Sequence, residues 1–165
     1  MLEDAFEHHV WATLQVLDAC LVLTPEQLGT AVVGTYGSIL DTARHLVGAD
    51  AGYLSTMTEG RVSRIDDEIM ALPELRAEME RHGPAWSELS IQALDPDVVV
   101  VRHRDDGSEV HAPMGIRLAQ AIQHGTDHRS QICTALTALG FEPPTIDLWD
   151  FGIQRGRVVE LSPSS

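Results

Sequence analysis

The chain of 165 residues contains no lysine: all 11 of its basic side chains are arginines, set against 25 acids, for a formal net charge of −14. A Schiff-base or general-base lysine is thereby excluded. So is the basic face that a phosphate-backbone binder needs, and no nucleic-acid partner is expected. Long apolar runs are missing too. Nothing approaches the roughly 18 consecutive apolar residues of a membrane span. The N-terminal stretch MLEDAFEHHVW has neither a basic n-region nor an apolar signal core, so a cytoplasmic protein with no membrane partner is expected. Cysteine is scarce. Cys20 and Cys133 are too few for a disulfide framework and too distant for a C-x-x-C motif; they sit in apolar helical runs and read as small buried hydrophobes. There is no internal repeat and no low-complexity block.

What remains is ordinary globular composition, 44% hydrophobic and 22% charged, in a chain long enough to hold a core without staples. One domain over residues 1–157 is expected, with a tail over 158–165. Four segments carry apolar residues at three- and four-residue steps. The first runs from about Glu3 to Leu23, where Thr24-Pro25-Glu26 breaks it and opens a short turn. A loop with Gly29, Gly34 and Gly37 leads to the second helix, from Ser38 to near Gly60, with Asp41 placed to complete a capping box. An acidic linker, Arg61 to Leu72, precedes the third helix, which starts near Pro73 and which Gly83-Pro84 should bend or interrupt. A β-branched run within Asp97 to Arg104, an Asp106-Gly107 turn and alternation from Ser108 to Ala112 predict one short hairpin. The fourth helix spans about Met114 to Leu139 and ends at Gly140. Ile146 to Ile153 reads as an apolar strap across the bundle end. The expected fold is all-α: an antiparallel four-helix bundle with a short β-hairpin before the last long helix.

Eight histidines carry the chemistry. His124 and His128, four apart on the fourth helix, stack on one face within reach of one metal ion. They share a stripe with Ala121, Gln131 and Ala135, beside the apolar stripe of Leu118, Ile122, Gly125, Ile132 and Leu136. The imidazoles therefore border the interior, where their ring nitrogens need partners, and a divalent cation satisfies both. His45, midway along the second helix, is the third ligand candidate. Gly48, Ala49 and Gly52 follow it, and their smallness fits either open pocket space or close helix contact. Asp41, one turn before His45, either accepts the distal N–H of a ligating histidine or serves only as the helix-start acid. Gln131 and His9 are further pocket candidates. Arg129 either pairs with a carboxylate on a neighbouring helix or meets an anionic substrate. His103 and His111, in the hairpin, are expected to be exposed.

His45, followed much later by His124-Gly-Thr-Asp-His128-Arg129-Ser130-Gln131, resembles the DinB/YfiT-like metalloprotein superfamily. The resemblance runs from about Phe6 to Phe151 and includes the closing Pro143-to-Leu148 segment; Ser130 stands where many members have glycine. It implies a four-helix bundle, a three-histidine metal site and a homodimer. Three imidazoles leave a coordination position open, a catalytic rather than a structural pattern. All-nitrogen ligation suits zinc, nickel, cobalt or copper, with zinc and nickel the leading candidates. The resemblance also implies a low-molecular-weight thiol as cosubstrate, of the mycothiol or bacillithiol type, for an S-transferase or isomerase acting on a small molecule. The alternatives are hydrolysis by metal-held hydroxide and a non-enzymatic metal-binding stress protein.

Overall fold

Local capping chemistry sets several helix starts in the computed structural model, which describes residues 2–161. Helix α1 spans Leu2–Cys20 and α2 is the single turn Pro25–Leu28, opened by a Thr24–Gln27 capping box. Helix α3, Ile39–Met57, begins at Ser38, whose side chain caps Asp41 N–H while Asp41 returns the bond. Helix α4 spans Leu72–Ile91. Strands β1, Val99–His103, and β2, Glu109–Pro113, pair antiparallel with Val101 opposite His111. Helix α5 runs Met114–Ala138 and α6 Leu148–Gln154.

Four expectations change in detail. Helix α4 is continuous through Pro84, so of the expected bend or interruption the interruption does not occur; Leu72 and Leu75 before the proline and Trp86 and Leu89 after it are all buried. The hairpin turn is longer than two residues: Arg104 N–H donates to Ser108 and Gly107 N–H to Arg104, with Gly107 in the left-handed region at φ 81°. The apolar strap is a short helix that buries only Phe151 and Gly152, while Leu148 and Trp149 stay exposed. The anticipated tail begins tied down, since Arg157 and Val158 N–H both donate to Gly152 C=O; residues 162–165 lie outside the described ones.

Helix α1 packs against α4 and α5, and α3 packs against the same two. Two apolar clusters fix the helix directions. Val16 and Leu17 of α1 meet Ile39 and Ala43 of α3, Leu75 of α4 and Ile132 of α5 at one end. Phe6, Leu54, Trp86 and Leu118 meet at the other. Helices α1 and α5 therefore run one way, and α3 and α4 the other. Each long helix has one parallel and one antiparallel neighbour, which corrects the expected all-antiparallel arrangement: the helices bundle, but α3 and α4, like α1 and α5, run side by side in the same direction. The parallel α3–α4 pair forces the linker over residues 58–71 to travel back along the molecule. Its 3₁₀ turn, Asp67–Ile69, lies on α3.

A polar layer separates the two clusters. His9 and Thr13 of α1, Asp50 of α3, His82 of α4 and Arg129 of α5 are all buried. Asp50, 2% exposed, accepts from His9 Nε2 at 2.8 Å, His82 Nδ1 at 2.7 Å and Trp86 Nε1 at 3.0 Å. Burial alone would raise the Asp50 pKa; the hydrogen bonds from His82 and His9 outweigh it and hold the carboxyl well below its ordinary range. Arg129 Nη1 lies 3.1 Å from His9 Nδ1 and 3.1 Å from Thr13 Oγ1. A guanidinium only donates, so His9 Nδ1 must carry a lone pair and Nε2 the proton given to Asp50. A neutral imidazole thus bridges a buried carboxylate and a buried guanidinium.

Candidate metal centre

His45 stands on α3 and His124 and His128 on the facing stretch of α5, because the antiparallel α3–α5 contact brings the middle of one helix against the middle of the other. One ligand atom from each of the three lies within 4.8 Å of the others. His124 Nε2 and His45 Nε2 are 3.0 Å apart. Two ligands at a metal–nitrogen distance of about 2.0–2.1 Å and roughly a right angle stand about 3.0 Å from each other, so this spacing suits one shared ion. His128 gives Nδ1–H to Gln131 Oε1 at 3.1 Å, which leaves Nε2 as its other ring nitrogen. The same Gln131 oxygen accepts Tyr36 N–H at 2.9 Å.

The electrostatics keep lone pairs available. Burial, then the neighbouring His128 and His45, push His124 down to about 4. Burial followed by His128 lowers His45 as well, against a raising effect of Asp67. Both imidazoles are neutral at neutral pH, the form that binds a cation.

The three histidines, their spacing along the chain and their meeting across α3 and α5 agree with a match of the DinB family model over residues 1–156. The chain belongs to the DinB family. No curated protein matches it.

In this DinB chain the remaining sequence candidates take varied places. Gly48, Ala49 and Gly52 line a cavity of about 370 Å³ with His45, His124 and Asp67. They do so for opposite reasons. A Cβ at Gly48 would collide with the Asp67 carboxylate, so close contact explains this glycine, whereas a Cβ at Gly52 would meet nothing within 4 Å. Asp41 is not a partner of His45: its Oδ2 accepts from Ser38 N–H and Oγ–H, the latter at 2.6 Å. The helix start has already claimed that carboxylate. Gln131 belongs behind His128 rather than beside a substrate, since its oxygen is engaged twice. His9, 1% exposed, lies inside the polar layer and lines no open space. Arg129 is equally enclosed; it reaches no carboxylate directly and meets Asp50 through His9, so an anionic substrate has no access to it. His103 and His111 are exposed beside Glu109.

Three participants escaped the sequence reading. Tyr36 stacks on His45, ring centroids 4.1 Å apart at 11°, and Tyr53 stands edge-on to His124 at 5.6 Å. Asp67 reaches the cavity from the linker. Tyr36 sits in a glycine-flanked loop immediately before the helix that carries a ligand, which is a signal that could have flagged it. Asp67 had none, because its position depends on the return path of the linker. No described helix is long and apolar enough to cross a membrane.

Proposed function

We propose that this DinB chain is a single four-helix-bundle domain over residues 1–157. His45, His124 and His128 hold one divalent ion, zinc or nickel, and the site works on a small molecule with a low-molecular-weight thiol as cosubstrate, as an S-transferase or isomerase. The observation that carries the reading is the 3.0 Å approach of two imidazole nitrogens from different helices, with a third imidazole alongside. A single N–H···N hydrogen bond could join His45 and His124 alone, but it leaves the third imidazole of the cluster out, whereas one cation takes a lone pair from all three rings at once. A bound divalent ion would acidify a thiol or a water in its open position.

The chain's own residues supply the rest. Gln131 orients His128 through Nδ1. Tyr36 covers one face of His45 and Tyr53 flanks His124, so both rings are held against rotation. Gly52 leaves room beside them for the body of the thiol.

Elemental analysis of protein purified without a metal-affinity tag is expected to find about one equivalent, lost in His124→Ala. Full occupancy in each of the three single alanine variants would refute the ligand set. Cobalt-loaded protein should show a sulfur-to-cobalt charge-transfer band when a small thiol is added, weakened in Gly52→Leu. Ester or amide turnover without thiol, with no thiol effect on the cobalt spectrum, would replace the transferase reading by the hydrolytic one. Absence of any metal-dependent turnover would favour a metal-binding module.

A further inference from the structure

The acidic excess makes two arginines conspicuous. Arg61 pairs with Glu88, Arg76 with Asp18 and Glu80, Arg81 with Glu78, and Arg157 with Asp4. Arg64, Arg102, Arg104 and Arg155 differ: among the described residues none has a carboxylate within ion-pair distance or a side-chain hydrogen bond, and of the four only Arg64 and Arg102 line a cavity shared with the histidines. The Nε of Arg102 is buried and unsatisfied. In a chain with 25 acids and 11 bases, leaving a half-buried guanidinium without an acceptor is costly, unless an acceptor arrives from outside.

Both side chains line the cavity of about 370 Å³ that His45 and His124 also line. They line as well a larger cavity of about 730 Å³, walled by Val98–Val101. They stand where the two cavities adjoin, one from the returning linker and the other from β1. Arg117 adds to the positive field. It spends Nη2 on the carbonyls of Val100 and Val110, has no carboxylate partner, and its pKa is lowered by burial and then by Arg102. The acids facing these spaces are Asp67, at the imidazole side, and Glu59 and Asp105, on the larger cavity.

We infer that Arg64 and Arg102 form an anion subsite, which binds a carboxylate or phosphate group of the molecule that reacts at the three histidines. This inference rests on the metal-site reading for its reaction, but not for its binding chemistry. Guanidinium groups match oxyanions through parallel N–H donors, and such charge-assisted bonds are the strong ones. Asp67 sets the orientation: it repels the anionic end from His45, so the uncharged, reactive end points to the imidazoles. The cavity volume suits a small organic anion.

The test is calorimetric titration of the purified protein, with its metal content recorded, using succinate and inorganic phosphate, and succinamide as the uncharged control. Succinate or phosphate should bind more weakly as salt is raised, and succinamide should not bind. Arg102→Gln and Arg64→Gln should each weaken binding about ten-fold, the loss of one charge-assisted bond, at unchanged metal content. Arg155→Gln, placed over Phe151, should leave it intact. Arg64 is exposed, so its variant keeps the fold even if Arg102→Gln does not. Equal affinity in wild type and both variants, or no anion binding at all, with metal content retained, would overturn the anion subsite and leave the metal reading standing. Anion binding lost in the variants of a protein that never holds metal would do the reverse.

Discussion

Gln131 holds its oxygen between the backbone of one loop and the ring of one histidine, and the consequence is measurable. Gln131→Ala frees the His128 ring, and metal affinity should fall about 10–100-fold, read by competition with a chromophoric chelator. Unchanged affinity would show that His128 needs no such restraint. Two glycines make an opposed pair. A Cβ at Gly125 would run into the His9 ring and approach Arg129 Nη1 to 2.8 Å. Alanine there gains up to about 1 kcal/mol of helix propensity but overpacks a rigid layer, at about 1–3 kcal/mol, so Gly125→Ala should lower the melting temperature. Gly52→Ala meets open space and should raise stability by about 0.4–1 kcal/mol. Chemical denaturation of both variants checks the signs. Asp50→Ala leaves Arg129 enclosed without its counter-charge and should cost about 3–5 kcal/mol.

Among the elements, periodicity and punctuation made the four long helices legible. Ser38 with Asp41, Thr24-Pro25 and Gly140 mark ends that depend on neighbours only a few residues away. The histidine pair on α5 was legible for the same reason: spacing of four is a local property. The directions of the helices were not. Whether α3 and α4 run parallel depends on the path of residues 58–71, and an acidic linker looks the same whether it turns back at once or travels the length of its neighbour. The polar layer was hidden differently. Asp50 occupies a position between Val47 and Leu54 on the buried side of α3, where an acid interrupts an apolar stripe; only its partners on α1 and α4 reveal why it is tolerated. Gly48→Ala tests the linker itself. The added methyl group should displace Asp67 from α3 and speed hydrogen exchange over residues 64–70, with little change in the helices. Exchange as slow as in wild type would show that the linker is held elsewhere.

For the molecule as a whole, acid should weaken the metal-free protein in two steps. His124 is a base whose folded pKa lies at about 4, below its ordinary value of 6.5. The unfolded chain therefore takes up that proton first, and stability falls as pH drops from 6.5 towards 4. Asp50 is an acid held below its ordinary value of 3.8; its contribution is present above that value and is lost further down. The melting temperature of His124→Gln should vary less between pH 6.5 and 4 than that of wild type, and equal slopes would contradict the assignment. Chelation should lower the melting temperature by mass action yet leave the helical circular dichroism intact, because two apolar clusters hold the helices without the ion.

The polar layer also acts as a vernier along the molecule's long axis. Apolar contacts tolerate a helix sliding by part of a turn, since one aliphatic surface resembles the next. A carboxylate that must meet donors from two other helices does not tolerate it, for any slip would strand Asp50 or Arg129 without partners. Asp50 is five residues beyond His45, and Arg129 directly follows His128. The device that fixes axial alignment is thus built into the same two helices that carry the imidazoles, next to them. Replacing the layer with well-packed aliphatic residues should give a protein of equal or greater stability in which the nitrogens of His45 and His124 no longer meet at one fixed separation. Alignment, rather than strength, is what that buried charge provides.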